Sequence, residues 1–411
     1  MRGTMRTLAA SAASMALLAG TVAPALAASP DPAMGDGGVP AFYGWTEAVP
    51  ATPGKMLRTE PLPDKLVLAN AGKGVRILYA STDGLDGKTP VPVSGALFLP
   101  KGEAPAGGWP LMAWAHGTVG AADVCAPSFA GRIPRDVAYL NHWLAQGYAV
   151  VASDYQGLGT PGGHPYMASR PAAYSVLDGI RAVQGADFGL SKKVVLVGQS
   201  QGGGGAFATA GYASSYAPEL DVRGTVATGT PWVTPRTFAG VTASGRDTPQ
   251  ETFAYILLML YLVKQTDPSF SFEDYVSPKA MPALKLGATG CLGEVAGAVM
   301  SDGLTFNNTF LKDPTEKLAK VFEVMGYATL KPAAPVFMGT GGKDIDVPPP
   351  MQRALIGAAC QAGARIEAHY YPELDHSGTV NGSLADSTPF VKKAFEGADI
   401  AGDCGRDWTS R

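Results

Sequence analysis

The segment Lys193-Val194-Val195-Leu196-Val197-Gly198-Gln199-Ser200-Gln201-Gly202-Gly203 holds the one G-x-S-x-G pattern in the chain. Four β-type apolar residues precede it and a Gly/Ala-rich stretch follows. This is the context in which a strand turns sharply into a helix and presents a serine at the bend. Glycines on both sides remove the Cβ atoms that would clash with neighbouring backbone in such a turn. Ser200 would then expose its Oγ, with the positive end of the helix dipole behind it. A serine hydroxyl is a poor nucleophile until a base removes its proton, and histidine is the side chain tuned for that near neutral pH. The chain has five histidines: His116, His142, His164, His369 and His376. On an elbow of this kind the acid follows the nucleophile in the chain and the base comes last, which leaves His369 and His376. His369 lies inside the strand-like run Ile366 to Tyr371. His376 lies beyond it, in the loop Pro372-Glu373-Leu374-Asp375-His376-Ser377-Gly378, and is the expected base, because catalytic groups favour loops at strand ends. The acid that orients the imidazole should follow the preceding strand, where Gly341-Gly342-Lys343-Asp344-Ile345-Asp346-Val347-Pro348 offers two carboxylates. Asp344 follows the glycine turn directly and is the first choice. Asp346 would point the opposite way in an extended chain, with capping of the helix near Pro349 as its alternative role. Charge developing on a carbonyl oxygen needs fixed donors. The backbone N–H of Gln201 is one candidate, and the N–H of Thr118, after Leu111-Met112-Ala113-Trp114-Ala115-His116-Gly117, is the other. His116 itself is expected to be a structural hydrogen-bonder. Together these residues specify acyl transfer through a covalent serine intermediate, chemistry that needs no metal and no organic cofactor.

The elements needed to hold these groups are visible in the chain. Short apolar runs at Val91 to Leu99, Leu111 to Ala115, Tyr148 to Ala152, Val194 to Val197, Thr225 to Thr228, Val336 to Met338 and Ile366 to Tyr371 read as strands buried on both faces. Helical stretches lie between or beside them at Arg135 to Gln146, Ala172 to Gln184, Gly203 to Tyr212 and Pro349 to Gln361. The alternation predicts an α/β fold with a mostly parallel sheet flanked by helices. Roughly a hundred residues separate the strand near Thr228 from the strand at Val336, where crossovers need about a dozen to thirty. Phe253 to Val263 in this insertion is apolar nearly all round and must bury itself or cover something apolar. With a second helix at Thr315 to Met325, it predicts a helical cap over a cleft. The expected organisation is a signal peptide over 1–27, a surface-wrapping segment over 28–63, and a core over 64–230 and 331–400. The cap occupies 231–330 and a tail 401–411.

The 411 residues are 46% hydrophobic and only 16% charged, which excludes a disordered polyelectrolyte. Thirty-two basic and 35 acidic residues nearly cancel, so no field suited to nucleic acid exists. Arg2 and Arg6, the uncharged run from Leu8 to Val22, and Ala25-Leu26-Ala27 read as a secretory signal cleaved after Ala27. Removing those 27 residues and their two arginines leaves 384 residues with a formal charge of −5. No further run is long enough to be a transmembrane segment; the nearest, Ile256 to Val263, has eight residues. In an oxidising compartment, Cys125, Cys291, Cys360 and Cys404 are expected to form two disulfides. Their spacing is not that of a zinc or redox site, and three pairings are open.

The elbow, with His116-Gly117 before it and Asp344 and His376 after it, resembles the α/β-hydrolase superfamily. Three stretches resemble, more narrowly, its yeast lipase A-like secretory lipase family. They are His116-Gly117-Thr118 followed by Cys125-Ala126-Pro127-Ser128; Asp154-Tyr155-Gln156-Gly157-Leu158-Gly159; and Asp344-x-x-Val347-Pro348 with Tyr371-Pro372 before His376. The resemblance covers about residues 40 to 400. It implies Asp344 rather than Asp346 as the acid, pairing of Cys125 with Cys291 and of Cys360 with Cys404, and hydrolysis of carboxylic esters. The expected protein is a secreted serine ester hydrolase for apolar acyl esters, with a small-molecule or lipid ester as its partner at a lipid–water interface. Short-chain carboxylesterase, polyester hydrolase and acyltransferase are the alternatives on the same scaffold. A non-catalytic binding protein would have lost Ser200, Asp344 or His376, and all three are present.

Overall fold

The computed structural model describes residues 29–244 and 246–405; the expected signal peptide and the last six residues of the expected tail lie outside the described residues. Among the described residues one nine-stranded sheet forms the core of the fold. Its strands are β1 (Met56–Pro61), β2 (Ala71–Thr82), β3 (Pro90–Pro100), β4 (Trp109–Ala115), β5 (Ala149–Ser153), β6 (Leu190–Gln199), β7 (Asp221–Thr228), β8 (Val336–Gly341) and β9 (Ile366–Tyr371). Their spatial order is β1-β2-β3-β5-β4-β6-β7-β8-β9. The β1–β2, β2–β3 and β3–β5 pairs are antiparallel, and every pair from β5 to β9 is parallel.

The period-2 geometry of a strand explains why the central runs are apolar without alternation. In β4, Met112 and Trp114 face a core with Leu140 and Trp143 of the helix Pro134–Ala145 and Phe390 of the helix Leu384–Glu396. Leu111, Ala113 and Ala115 face the other core, with Val176 and Ile180 of the helix Ser169–Gln184 and Ala206 of the helix Gln201–Tyr216. Each fully buried Val, Leu or Ile contributes roughly 1.5–3 kcal/mol. Both faces of the site-bearing strands are therefore held by many such contacts.

Two strands lie outside the sequence expectation. β1 occupies the end of the segment expected to wrap the surface, and β2 is the longest strand of the sheet. In β2 the run Val75-Arg76-Ile77-Leu78-Tyr79 is broken by a charge. That Arg76 is buried, pairing with Glu60 of β1 and donating to Ser128 O at 3.1 Å, so the sheet neutralises what looks polar in the sequence.

Between β7 and β8 the chain is helical, including Pro235–Ser244, Phe253–Thr266, Leu292–Ser301 and Thr315–Met325. Every residue from Phe253 to Val263 is buried except Tyr255. They pack in one cluster with Val295, Phe306, Leu318 and Val321 of the same insertion and with Tyr166 and Ala168 of the core. Disulfides join Cys125 to Cys291 and Cys360 to Cys404. The first links the segment after β4 to the start of the helix Leu292–Ser301. The second links the helix Pro349–Gln361 to the C-terminal segment. Among the described residues, no helix is long and apolar enough to cross a membrane.

Candidate active site

β6 ends at Gln199, the helix Gln201–Tyr216 begins two residues later, and Ser200 is the bend. Its backbone sits at φ 59°, ψ −126°, where the first central residue of a type II′ turn lies, a position normally held by glycine. The flanking glycines explain how the chain tolerates it. A Cβ on Gly198 would lie 2.0 Å from Gly202 O, and one on Gly202 would lie 1.9 Å from Ala115 O. These contacts are with backbone, which no rotamer change relieves, so β6, the helix and the end of β4 can approach only where side chains are absent.

The Ser200 N–H donates to Thr228 O at 3.0 Å, fixing the bend against the end of β7. The next residue, Gly229, lies beneath the ring of His376: a Cβ there would stand 2.8 Å from His376 Cε1 and 3.5 Å from Asp344 Oδ2. The serine and the imidazole are thus seated on consecutive residues of one strand end. His376 Nδ1 faces Asp344 Oδ2 at 2.8 Å, and both side chains are buried. A carboxylate only accepts, so Nδ1 carries the proton and Nε2 is left with its lone pair. Nε2 is buried with no hydrogen-bond partner among the described residues. Asp344 also accepts from Val347 N–H at 2.8 Å and Gln352 Nε2 at 2.9 Å, which leaves its carboxylate little freedom to rotate. Gln352, on the helix Pro349–Gln361, is a supporting residue that the sequence pattern did not reveal.

The rival base is elsewhere. His369, in β9, stacks on Phe337 at 4.7 Å and faces Glu367 at 3.3 Å. The rival acid requires a correction. Asp346 neither turns away from the site nor caps the following helix, whose N-cap is Pro348 without a side-chain bond. The loop after β8 turns rather than extending, so a ligating atom of Asp346 lies within 4.8 Å of those of Asp344 and His376. Asp346 Oδ1 accepts from the Tyr255 hydroxyl at 2.6 Å. Burial, then the Asp346 charge, push that phenol well above its ordinary range.

Behind the elbow lies a stack of rings. His116 stacks on Tyr155 at 4.2 Å, and Tyr155 lies parallel to His164 at 6.1 Å. His116 contacts Gly117 O (2.7 Å) and Asp154 O (3.1 Å) through its ring nitrogens, and the Tyr155 hydroxyl donates to His116 O at 2.9 Å. His164 Nδ1 faces the carbonyl of Gln156 at 2.9 Å and so donates. Its Nε2 then accepts from the Gln201 amide at 3.0 Å, which anchors the residue after the serine. Burial lowers the His164 pKa to about 4, so the ring is neutral near pH 7. The Thr118 hydroxyl pairs with the Tyr166 hydroxyl at 2.8 Å.

Ser200, Gln201 and Thr118 line one cavity of about 70 Å³, otherwise walled largely by apolar groups including Met167, Val233, Phe238, Ile256 and Met259. A wider cleft of about 540 Å³ adjoins it, lined in part by Gly117, Arg135, Asp136, Glu251 and Leu292. Thr118, Tyr255 and Asp346 border both.

A mostly parallel sheet, a serine on a strained strand–helix bend, and a His–Asp pair on the loops after the last two strands define the α/β-hydrolase fold. Solved structures agree in fold. Candida antarctica lipase A in its closed state superposes with a TM-score of 0.71 at 23% identity, covering 92% of this chain and 90% of that one. The cell wall degrading esterase LipA of Xanthomonas oryzae gives 0.64 at 20% identity, covering 84% and 98%. A sequence model of the secretory lipase family matches residues 130–366, more than half of the chain, and the chain belongs to that family. It is 27% identical over 315 residues to the secreted triacylglycerol lipase LIP2 of Malassezia furfur, covering 68% of this chain and 63% of that one. It is 28% identical over 276 residues to lipase A of Moesziomyces aphidis, covering 64% and 57%. The chain therefore spans about three fifths of the length of these two relatives.

Proposed function

We propose that the protein is a secreted serine ester hydrolase acting on carboxylic esters with apolar acyl groups, acylglycerols among them. Ser200 attacks the ester carbonyl as His376 Nε2 takes its proton, and Asp344 holds the ring in the required tautomer and stabilises the imidazolium. The oxyanion accepts from the N–H groups of Gln201 and Thr118. His376 returns the proton to the leaving alcohol, and water activated by the same imidazole releases the acid and restores Ser200. The observation that carries this reading is the placement of Ser200 and His376 on consecutive residues, Thr228 and Gly229, with the His376 Nδ1–Asp344 contact of 2.8 Å behind them. The apolar wall of the cavity at Ser200 supports an apolar acyl group. The signal-like N-terminus, the two disulfides and membership of a secretory family support export.

The test is a fluorophosphonate reagent followed by mass measurement of the intact protein and its Ser200 peptide. One phosphonyl adduct on Ser200, with parallel loss of ester turnover, is expected. An unchanged mass, under conditions that label a known serine esterase, overturns the reading.

A further inference from the structure

We propose that the Tyr255–Asp346 hydrogen bond is a partition that limits the length of the acyl group the site accepts. The proposal rests on the ester-hydrolase reading above and adds a specificity-determining pair to it. The apolar cavity at Ser200 is small, and the adjoining cleft is several times larger. Three residues border both: Thr118, beside the serine, and Tyr255 and Asp346. The last two come from opposite sides of the boundary. Tyr255 is on the cap helix Phe253–Thr266, and Asp346 is on the loop after β8 that also carries Asp344. Their side chains meet at 2.6 Å, so the two hollows are separated there by one hydrogen bond.

Tyr255 is also the one residue between Phe253 and Val263 that is not buried in the cap's apolar cluster. Its neighbours Ile256 and Met259 face the small cavity, and its hydroxyl is what reaches across. A short acyl chain fits the apolar side without disturbing the pair. A long chain overruns that cavity, and on the side of this cleft it continues only by displacing the phenol, losing a bond to a charged acceptor, one of the stronger hydrogen-bond types. The cost falls on long chains alone, so the pair sets a ratio between substrates rather than a rate common to all.

The experiment measures kcat/KM for p-nitrophenyl esters from butyrate to palmitate with the wild-type chain, Tyr255→Phe and Asp346→Asn. Tyr255→Phe keeps the ring and deletes the bond. It is expected to raise the palmitate-to-butyrate ratio about tenfold. Asp346→Asn leaves an acceptor oxygen without charge and is expected to raise the ratio by less. A ratio in Tyr255→Phe within twofold of wild type, or equal changes for all esters, overturns the partition. Melting temperatures of the variants identify unfolding. If Asp346→Asn does not fold, Tyr255→Phe decides alone. Absence of a phosphonyl adduct and of ester turnover in the wild-type chain would instead remove the parent reading, whereas a labelled enzyme with an unchanged ratio removes the partition alone.

Discussion

Replacing Ser200 by glycine is expected to disable the protein and make it more stable. At φ 59°, ψ −126°, Ser200 is one of only three non-glycine residues with positive φ among the described residues. A residue with a Cβ held in so sparsely populated a region costs of order 1–3 kcal/mol. Glycine removes that cost but increases the freedom of the unfolded chain, offsetting roughly 0.5–1 kcal/mol. The net expectation for Ser200→Gly is a gain of about 1 kcal/mol. Ser200→Ala deletes the same hydroxyl while keeping the Cβ and hence the strain, so it is the control. Urea unfolding of the wild type, Ser200→Ala and Ser200→Gly, read through midpoint and slope, measures the differences. Both variants should lose ester turnover, with Ser200→Gly unfolding at the highest urea. If Ser200→Gly is no more stable than Ser200→Ala, the bend is not strained.

Asp344→Asn should keep the His376 contact in the wrong tautomer. A fall in kcat of about 10⁴-fold with little change in KM is expected, and a loss under tenfold would count against Asp344 as the acid. His164→Gln tests the buried ring behind Gln201. A base whose folded pKa is lowered from 6.5 to about 4 contributes stability that is complete above pH 6.5 and declines as pH falls towards 4. The stability advantage of wild type over His164→Gln should therefore shrink by about 3 kcal/mol across that window. Asp123, raised to about 7 chiefly by burial, acts in the opposite direction but is common to both proteins and cancels. A constant difference between pH 6.5 and 4 would show that His164 is not held neutral by the fold.

The elbow is legible in the sequence because its requirements are local. Gly198 and Gly202 are forced by backbone approaches within the same turn and the neighbouring strand, and such constraints leave a mark on residue type. His376 was legible for a related reason: a parallel sheet delivers the loops after its strands to one edge, so order in the chain translates into place. Asp346 departs from the expectation because the loop after β8 turns where an extended chain would carry it to the other side. Its partner Tyr255 is 91 residues away on a helix whose apolar character gives no sign of which residue reaches outward. The supporting roles of Gln352 and His164 leave no mark on the sequence because each consists of one hydrogen bond to a site residue, Asp344 and Gln201, and no spacing rule encodes those meetings. β2 was hidden by Arg76, whose charge is answered from the neighbouring strand.

The bond between Cys125 and Cys291 gives the helical insertion a third mooring, besides the points where its chain leaves β7 and rejoins β8. A flap attached only at its two chain ends could swing aside as a whole. One stitched midway to the segment after β4 is held at that point while the bond is intact, so any movement of its helices must leave the start of the helix Leu292–Ser301 in place.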